Sequence, residues 1–274
     1  MVEHGEYNSL IGFQILDLRK IGSLSEKILD LYDQIVGGKK VDNPFIKDYD
    51  MRLKRLKEEF GFKHVFVKTE AAPDRIIEIL DSLIYGLIKI CNLLIGEEVS
   101  SRVNFGFNGN LTLYVGIDKQ GLSNGTIAYY RPSEKRIVIK ERIEDSEEVA
   151  CIAHEWAHAY DHYKAYSNDI GDDILTKIRQ YDRNLLKRDD RWLGEIMDLI
   201  DQSVYKSNLQ KIKASSKWIA YASTPWELLS HAIEGYVYRK LNDFKPILPI
   251  DKANIYPPIL DREIIDYLDN NKMF

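Results

Sequence analysis

Residues 149–163 read Val-Ala-Cys-Ile-Ala-His-Glu-Trp-Ala-His-Ala-Tyr-Asp-His-Tyr, and at their centre His154-Glu155-Trp156-Ala157-His158 places two histidines four residues apart. On an α-helix such residues lie about 40° apart around the axis and one turn apart along it, so both imidazoles reach one metal ion. Glu155, beside the first histidine, then stands where a carboxylate can take a proton from water activated by that metal. This pentapeptide decides the fold, because its helix must be carried by neighbours that hold it in place and complete the ligand set.

Immediately upstream, Asp145 and Glu148 have the spacing of a capping box at the helix start. Before them, Arg102 to Lys140 is rich in aromatic and β-branched residues. Turn signals at Asn108-Gly109 and Pro132-Ser133 divide this run into strands expected near 103–107, 111–117, 125–131 and 136–141. The histidine helix therefore follows directly on a hairpin. A short strand is expected from Phe62 through Lys68, then a long helix after Pro73. That helix sets Ile76, Leu80, Leu83, Leu87, Cys91 and Leu94 on one face, opposite Glu78, Asp81, Tyr85, Lys89 and Asn92. It is long enough to span a bilayer, but its charged stripe makes it a core helix, so no membrane role is expected.

Further out, Ser23 and Glu26 open a helix that ends at Gly37-Gly38, and a second runs from Asn43-Pro44 to Gly61. From Asp172 to Lys240 the chain reads as helix: a charged one to about Arg188, one carrying Trp192, Ile196, Leu199, Ile200 and Val204, and a last one after Pro225. Pro246, Pro249, Pro257 and Pro258 mark an irregular segment before a short helix from Asp261. The organisation expected is a helical extension at 1–60, a catalytic domain at 61–245, and a proline-rich segment with a short helix at 246–274.

With 45% apolar residues in 274 the chain has ample material for a core, and a net charge of -5 offers no footprint for nucleic acid. Basic runs such as Arg52 to Lys57 read as solvated helix faces. Two cysteines cannot make a disulfide framework, and the first residues lack the pattern of a signal peptide, so a reducing cytoplasm is the default expectation.

Four of the six histidines, His154, His158, His162 and His231, fall in or near two helices, which strengthens a metal reading. His162 lies about 80° round the helix from His154, so a polar contact suits it better than ligation. Asp161 shares the ligand stripe and can either hold the far nitrogen of a ligand imidazole or anchor the helix to a neighbour. Cys151 reads as core packing. A third ligand must come from elsewhere, and the helix after Pro225 carries Glu227, His231 and Glu234 on one face. Glu227 has a competing use, because Thr224-Pro225-Trp226-Glu227 is also a capping box.

The run from His154 to Tyr163, followed downstream by Tyr221-Ala-Ser-Thr-Pro-Trp-Glu227-Leu-Leu-Ser-His-Ala-Ile-Glu234, resembles the gluzincin metallopeptidases of the anthrax lethal factor type. Their relatives include the proline-proline endopeptidases and HExxH domains of phage and mobile elements. The resemblance covers about 125–237. It implies an α+β, zincin-like fold: a small mixed sheet packed on the histidine helix, with a helical lower lobe and, here, the N-terminal helical extension. It implies Zn2+ held by His154, His158 and Glu227, with Glu155 as general base and Tyr221 supporting the oxyanion, and a protein or peptide as substrate. The edge strand beside the cleft, expected near Gly125 to Arg131, would pair with an extended substrate. Two departures stand out. The interval from Tyr221 to Glu227 is one residue shorter than in lethal factor, and His231 stands where the family often has an acid, which keeps His231 and Glu234 open as ligands. The activity expected is a zinc-dependent endopeptidase. A zinc-stabilised binding protein associated with a virion or toxin, or a non-peptide amide hydrolase, are the alternatives.

Overall fold

The computed structural model describes residues 44–69, 71–116, 127–140, 146–211, 216–242 and 261–274. The helix expected after Ser23, the capping residue Asp145, His4 and the four clustered prolines lie outside them. The architecture is mixed α+β, mostly helical, with one four-stranded sheet.

Helix α1 (Pro44–Glu58) docks on helix α2 (Pro73–Leu94), where Arg52 grips Asp81 through two hydrogen bonds of 2.7 Å. Leu56 and Phe60, at the end of α1 and just past it, are fully buried in the common core. The expected face of α2, from Ile76 to Leu94, is buried there too. Among the described residues no single helix is long and apolar enough to cross a membrane.

Strands β1 (His64–Lys68), β2 (Thr112–Gly116) and β4 (Arg136–Ile139) run parallel, whereas β3 (Ala128–Arg131) is antiparallel to β4 and closes the order β1-β2-β4-β3. One face of the sheet, Val65, Leu113, Val115, Ile137 and Ile139, joins the core; on the other face Phe66 is 40% exposed, whereas Val138 is fully buried. A single 3-10 turn at Pro132–Glu134 links β3 to β4, with Lys135 in the left-handed region at φ 45°. Hairpin and turn stand where the sequence set them.

Residues 103–107 differ from the strand expected there; most of them belong to a 3-10 helix at Val99–Gly106. Phe105 and Phe107 share one side, as they would in a strand, and both stack on Trp156, at centroid distances of 5.0 and 5.8 Å. Trp156 in turn donates its indole N–H to the Phe105 carbonyl at 2.8 Å. Backbone also packs on backbone here. Gly106 donates to the Phe60 carbonyl at 2.7 Å, and a side-chain carbon at Gly106 would come within 2.2 Å of the Gly61 carbonyl oxygen. Only glycine fits that approach.

Helix α3 (Ser146–Ser167) carries the histidines directly after β4. The helical stretch beyond it is more broken than its composition suggests: α4 (Leu175–Ile178), α5 (Arg183–Asp189), α6 (Arg191–Gln202), α7 (Val204–Lys211), α8 (Ser216–Ala222) and α9 (Pro225–Leu241). Aspartates make these breaks by capping. Asp182 and Asp190 accept the Leu185 and Leu193 amides, and Asp261 accepts the Val204 amide, so Val204 opens a helix instead of extending the previous one. Asp261 also precedes the short terminal helix α10 (Arg262–Asn270), as expected. Helix α9 packs along α3, and the edge strand β3 lies against α3 as well.

Candidate metal centre

Two turns of α3 and the first three turns of α9 build the site. The spacing of His154 and His158 puts their Nε2 atoms 3.2 Å apart. Glu227, one turn into α9, brings Oε2 to 3.6 Å from His154 Nε2 and Oε1 to 3.4 Å from His158 Nε2. All three side chains are buried. A tetrahedron with metal–ligand bonds of about 2.0–2.1 Å has edges of about 3.3 Å, so these separations suit three corners around one ion.

The other nitrogen of each imidazole has a polar partner, and for His154 it is a carboxylate, which only accepts. Glu234 Oε2 takes the Nδ1 proton of His154 at 2.9 Å, and the Ser230 hydroxyl lies 3.1 Å from Nδ1 of His158. With Nδ1 of His154 protonated, and that of His158 when it donates to the Ser230 hydroxyl, both Nε2 lone pairs and the Glu227 carboxylate face a common point. Three acceptors converging in a buried place require a cation or a proton between them. The cluster could therefore hold a metal ion.

His154, His231 and Glu234 form a second gathering of possible ligands. Its atoms are engaged with one another: Glu234 Oε2 lies 2.9 Å from His154 Nδ1 and 3.3 Å from His231 Nδ1. The 2.9 Å separation is shorter than the roughly 3.3 Å edge of a tetrahedral site and is that of a direct hydrogen bond, which suits Glu234 as a group that orients His154. His231 Nε2 stands 3.8 Å from Glu227 Oε2, at the margin of the first cluster.

Glu227 does not close the capping box that its position allows. The Thr224 amide donates to the Tyr221 carbonyl at 3.0 Å and the Thr224 hydroxyl to the same oxygen at 2.8 Å, which frees the Glu227 carboxylate to turn inward. Tyr221, on α8, is 57% exposed, and its phenol is pushed up by burial and by the nearby Glu227 and Glu155. Glu155 keeps apart from the imidazoles: its Oε2 accepts the backbone N–H of Tyr130 on β3 at 2.7 Å. Burial pushes this carboxyl up to about 7, where it can both take and return a proton near neutrality.

The remaining residues of the histidine helix sort themselves. Asp161 anchors the helix to a neighbour, accepting the amide and hydroxyl of Thr176 on α4. His162 bonds the Tyr130 hydroxyl and Asp172, away from the cluster. Cys151 does more than fill the core: its thiol donates to Glu234 Oε1 at 3.6 Å. Ser230, Tyr130 and Tyr205 escaped sequence reasoning. For Ser230 a signal existed, since 227, 230 and 234 repeat at helical spacing. Tyr130 and Tyr205, whose phenol is pushed up by burial and by the charges of Glu234 and Glu227, come from separate elements and leave no local trace.

Comparison with protein-family models, curated proteins and solved structures finds no match for this chain. The class of the site therefore rests on its own geometry and chemistry.

That chemistry sets a pH dependence. Burial opposes a charge on His154, but the Glu234 bond and the nearby Glu155 and Glu227 charges outweigh it and carry its pKa up to about 9. His158 is held well below its usual value by burial and by its histidine neighbours, so it is already neutral. A metal must then displace one proton, from His154, at neutral pH. Zinc titrated calorimetrically at pH 7 in buffers of different ionisation enthalpy is expected to release about one proton, with affinity rising about tenfold per pH unit towards pH 9. An affinity flat across that range would contradict the assignment.

Proposed function

We propose that the protein is a zinc-dependent endopeptidase of the gluzincin type, with His154, His158 and Glu227 as ligands, Glu155 as general base and Tyr221 assisting the oxyanion. The observation that carries this reading is the convergence of three buried acceptor side chains, two imidazoles and both oxygens of one carboxylate, with atoms 3.2–3.6 Å apart, beside a carboxylate that is not one of them. A purely structural zinc site closes its fourth position with protein and has no use for such a carboxylate.

A zinc ion held there supplies Lewis acidity and lowers the pKa of its water to about 7. The protein's own groups do the rest. Glu155, held by the Tyr130 amide, accepts the proton of the attacking water and returns it to the leaving amine. Tyr221 offers a hydroxyl from the mouth to the oxygen that gains charge. Glu234 and Ser230 keep the imidazoles aimed.

A peptide substrate is favoured by the edge strand. The Lys140 amide bonds the Ile127 carbonyl, so in the β3–β4 register Ile127, Tyr129 and Arg131 face β4, while Ala128 and Tyr130 direct their backbone groups outward. Tyr130 gives its N–H to Glu155, which places that outward edge beside the catalytic carboxylate. An extended peptide laid along Ala128 would meet backbone partners next to the base. The zincin-like reading of the fold draws on the same arrangement: a mixed sheet with an antiparallel edge, a histidine helix against it, and helices supplying the third ligand.

The test is cleavage of proteome-derived peptides followed by mass spectrometry, with and without a zinc chelator. Chelator-sensitive cuts within peptides, with about one zinc per chain, are expected. A protein that binds its zinc and cuts nothing would leave the zinc-stabilised binding protein as the better reading.

A further inference from the structure

The edge strand is gripped at two points by one stripe of the histidine helix. Glu155 and His162 are seven residues apart on α3, so they lie about 20° apart around the axis and about 10 Å apart along it. Both contact a single strand residue. Glu155 takes the backbone N–H of Tyr130 at 2.7 Å, and Nδ1 of His162 meets the Tyr130 hydroxyl at 2.6 Å.

The direction of the second bond follows from a third. Nε2 of His162 lies 3.0 Å from Asp172 Oδ1, and a carboxylate only accepts, so Nε2 carries the proton. Nδ1 of the neutral ring is then the acceptor and the Tyr130 hydroxyl donates to it. His162 is 2% exposed, whereas Asp172 stands mostly in solvent with Lys135 Nζ 4.0 Å away. A buried imidazole is thus locked in one tautomer by a surface carboxylate, and it faces the residue that holds the base.

We propose that His162 is a positioning residue: with Asp172 it fixes the Tyr130 side chain, and through it the outward N–H that orients Glu155. The proposal rests on Glu155 as the working carboxylate. The physical need is plain. Strand β3 has four residues and, among the described residues, no neighbouring strand beyond it at this edge, so no strand described there keeps the Tyr130 amide at its place. The hydroxyl bond supplies that constraint from the helix side.

The test reads amide hydrogen exchange at Tyr130 by NMR in the full chain, with no substrate. In the β3–β4 register the Tyr129 amide bonds β4 and serves as the internal control. Tyr130→Phe removes only the hydroxyl. His162→Asn keeps an acceptor near the place of Nδ1, and His162→Gln keeps a group near Nε2 alone. Tyr130→Phe and His162→Gln are expected to speed exchange of the residue-130 amide about tenfold, the loss of roughly one hydrogen bond, with Tyr129 unchanged. His162→Asn should stay close to the parent. Equal rates in all four proteins, equal behaviour of Asn and Gln, or a uniform change along the strand would overturn the proposal. If a histidine variant fails to fold, Tyr130→Phe decides alone. Because exchange needs no turnover, a protein that hydrolyses nothing refutes the peptidase reading and leaves this result standing.

Discussion

Glu155→Gln is expected to lower peptide hydrolysis by about 10³-fold or more while zinc stays at one ion per chain, since a general base contributes about 10²–10⁴. The substitution is well matched to the geometry. Glutamine retains a carbonyl oxygen to accept the Tyr130 amide, so the strand keeps its anchor, and the residue makes none of the imidazole contacts that hold His154 and His158. Only the capacity to take a proton is lost. Elemental analysis and kinetics on the same preparation check both halves. Retained hydrolysis would remove Glu155 from its role, and lost zinc would mean that the carboxylate is a ligand instead.

The second large effect separates Glu227 from Glu234. Glu227→Ala removes the carboxylate that, among the described residues, faces both Nε2 atoms, and is expected to abolish stoichiometric zinc, as is His158→Ala. Glu234→Gln leaves those three side chains in place and withdraws the charge behind His154 Nδ1 and His231 Nδ1. Zinc should then still bind, about 10–100-fold more weakly, as for other groups that orient a metal-bound histidine. Zinc-dependent thermal stabilisation measured across the three variants gives the order directly. The opposite ranking, with Glu234 indispensable and Glu227 replaceable, would move the ion to the His154, His231 and Glu234 set.

Much of this centre was legible because its parts repeat at helical spacing. His154 and His158 are one turn apart, and Glu227, His231 and Glu234 share a face of α9, so each half could be read from its own helix. The hairpin before α3 was legible from Pro132-Ser133 and the β-branched residues around it. What escaped depends on partners distant in sequence. Val103 to Phe107 alternates like a strand, yet most of it coils into a 3-10 helix in which both phenylalanines still reach Trp156 and Gly106 packs on the Gly61 backbone, contacts distant in sequence that no local pattern announces. The same holds for Tyr130, whose amide and hydroxyl serve residues 25 and 32 positions away. That Glu227 leaves its capping box open likewise depends on a carbonyl, at Tyr221, that takes the Thr224 amide.

Glu227, Ser230 and Glu234 all arrive on one helix, and this shapes how the centre comes into being. Ser230 follows His158 by 72 residues and Glu234 follows His154 by 80. During folding, α3 alone offers an ion two unoriented imidazoles. Docking of α9 then delivers the third donor and both groups that aim the first two in a single event. On the proposed metal reading, capture of the ion and the closing of this long loop would therefore be one cooperative step, and a chain caught before it would hold zinc only loosely, like any short histidine peptide.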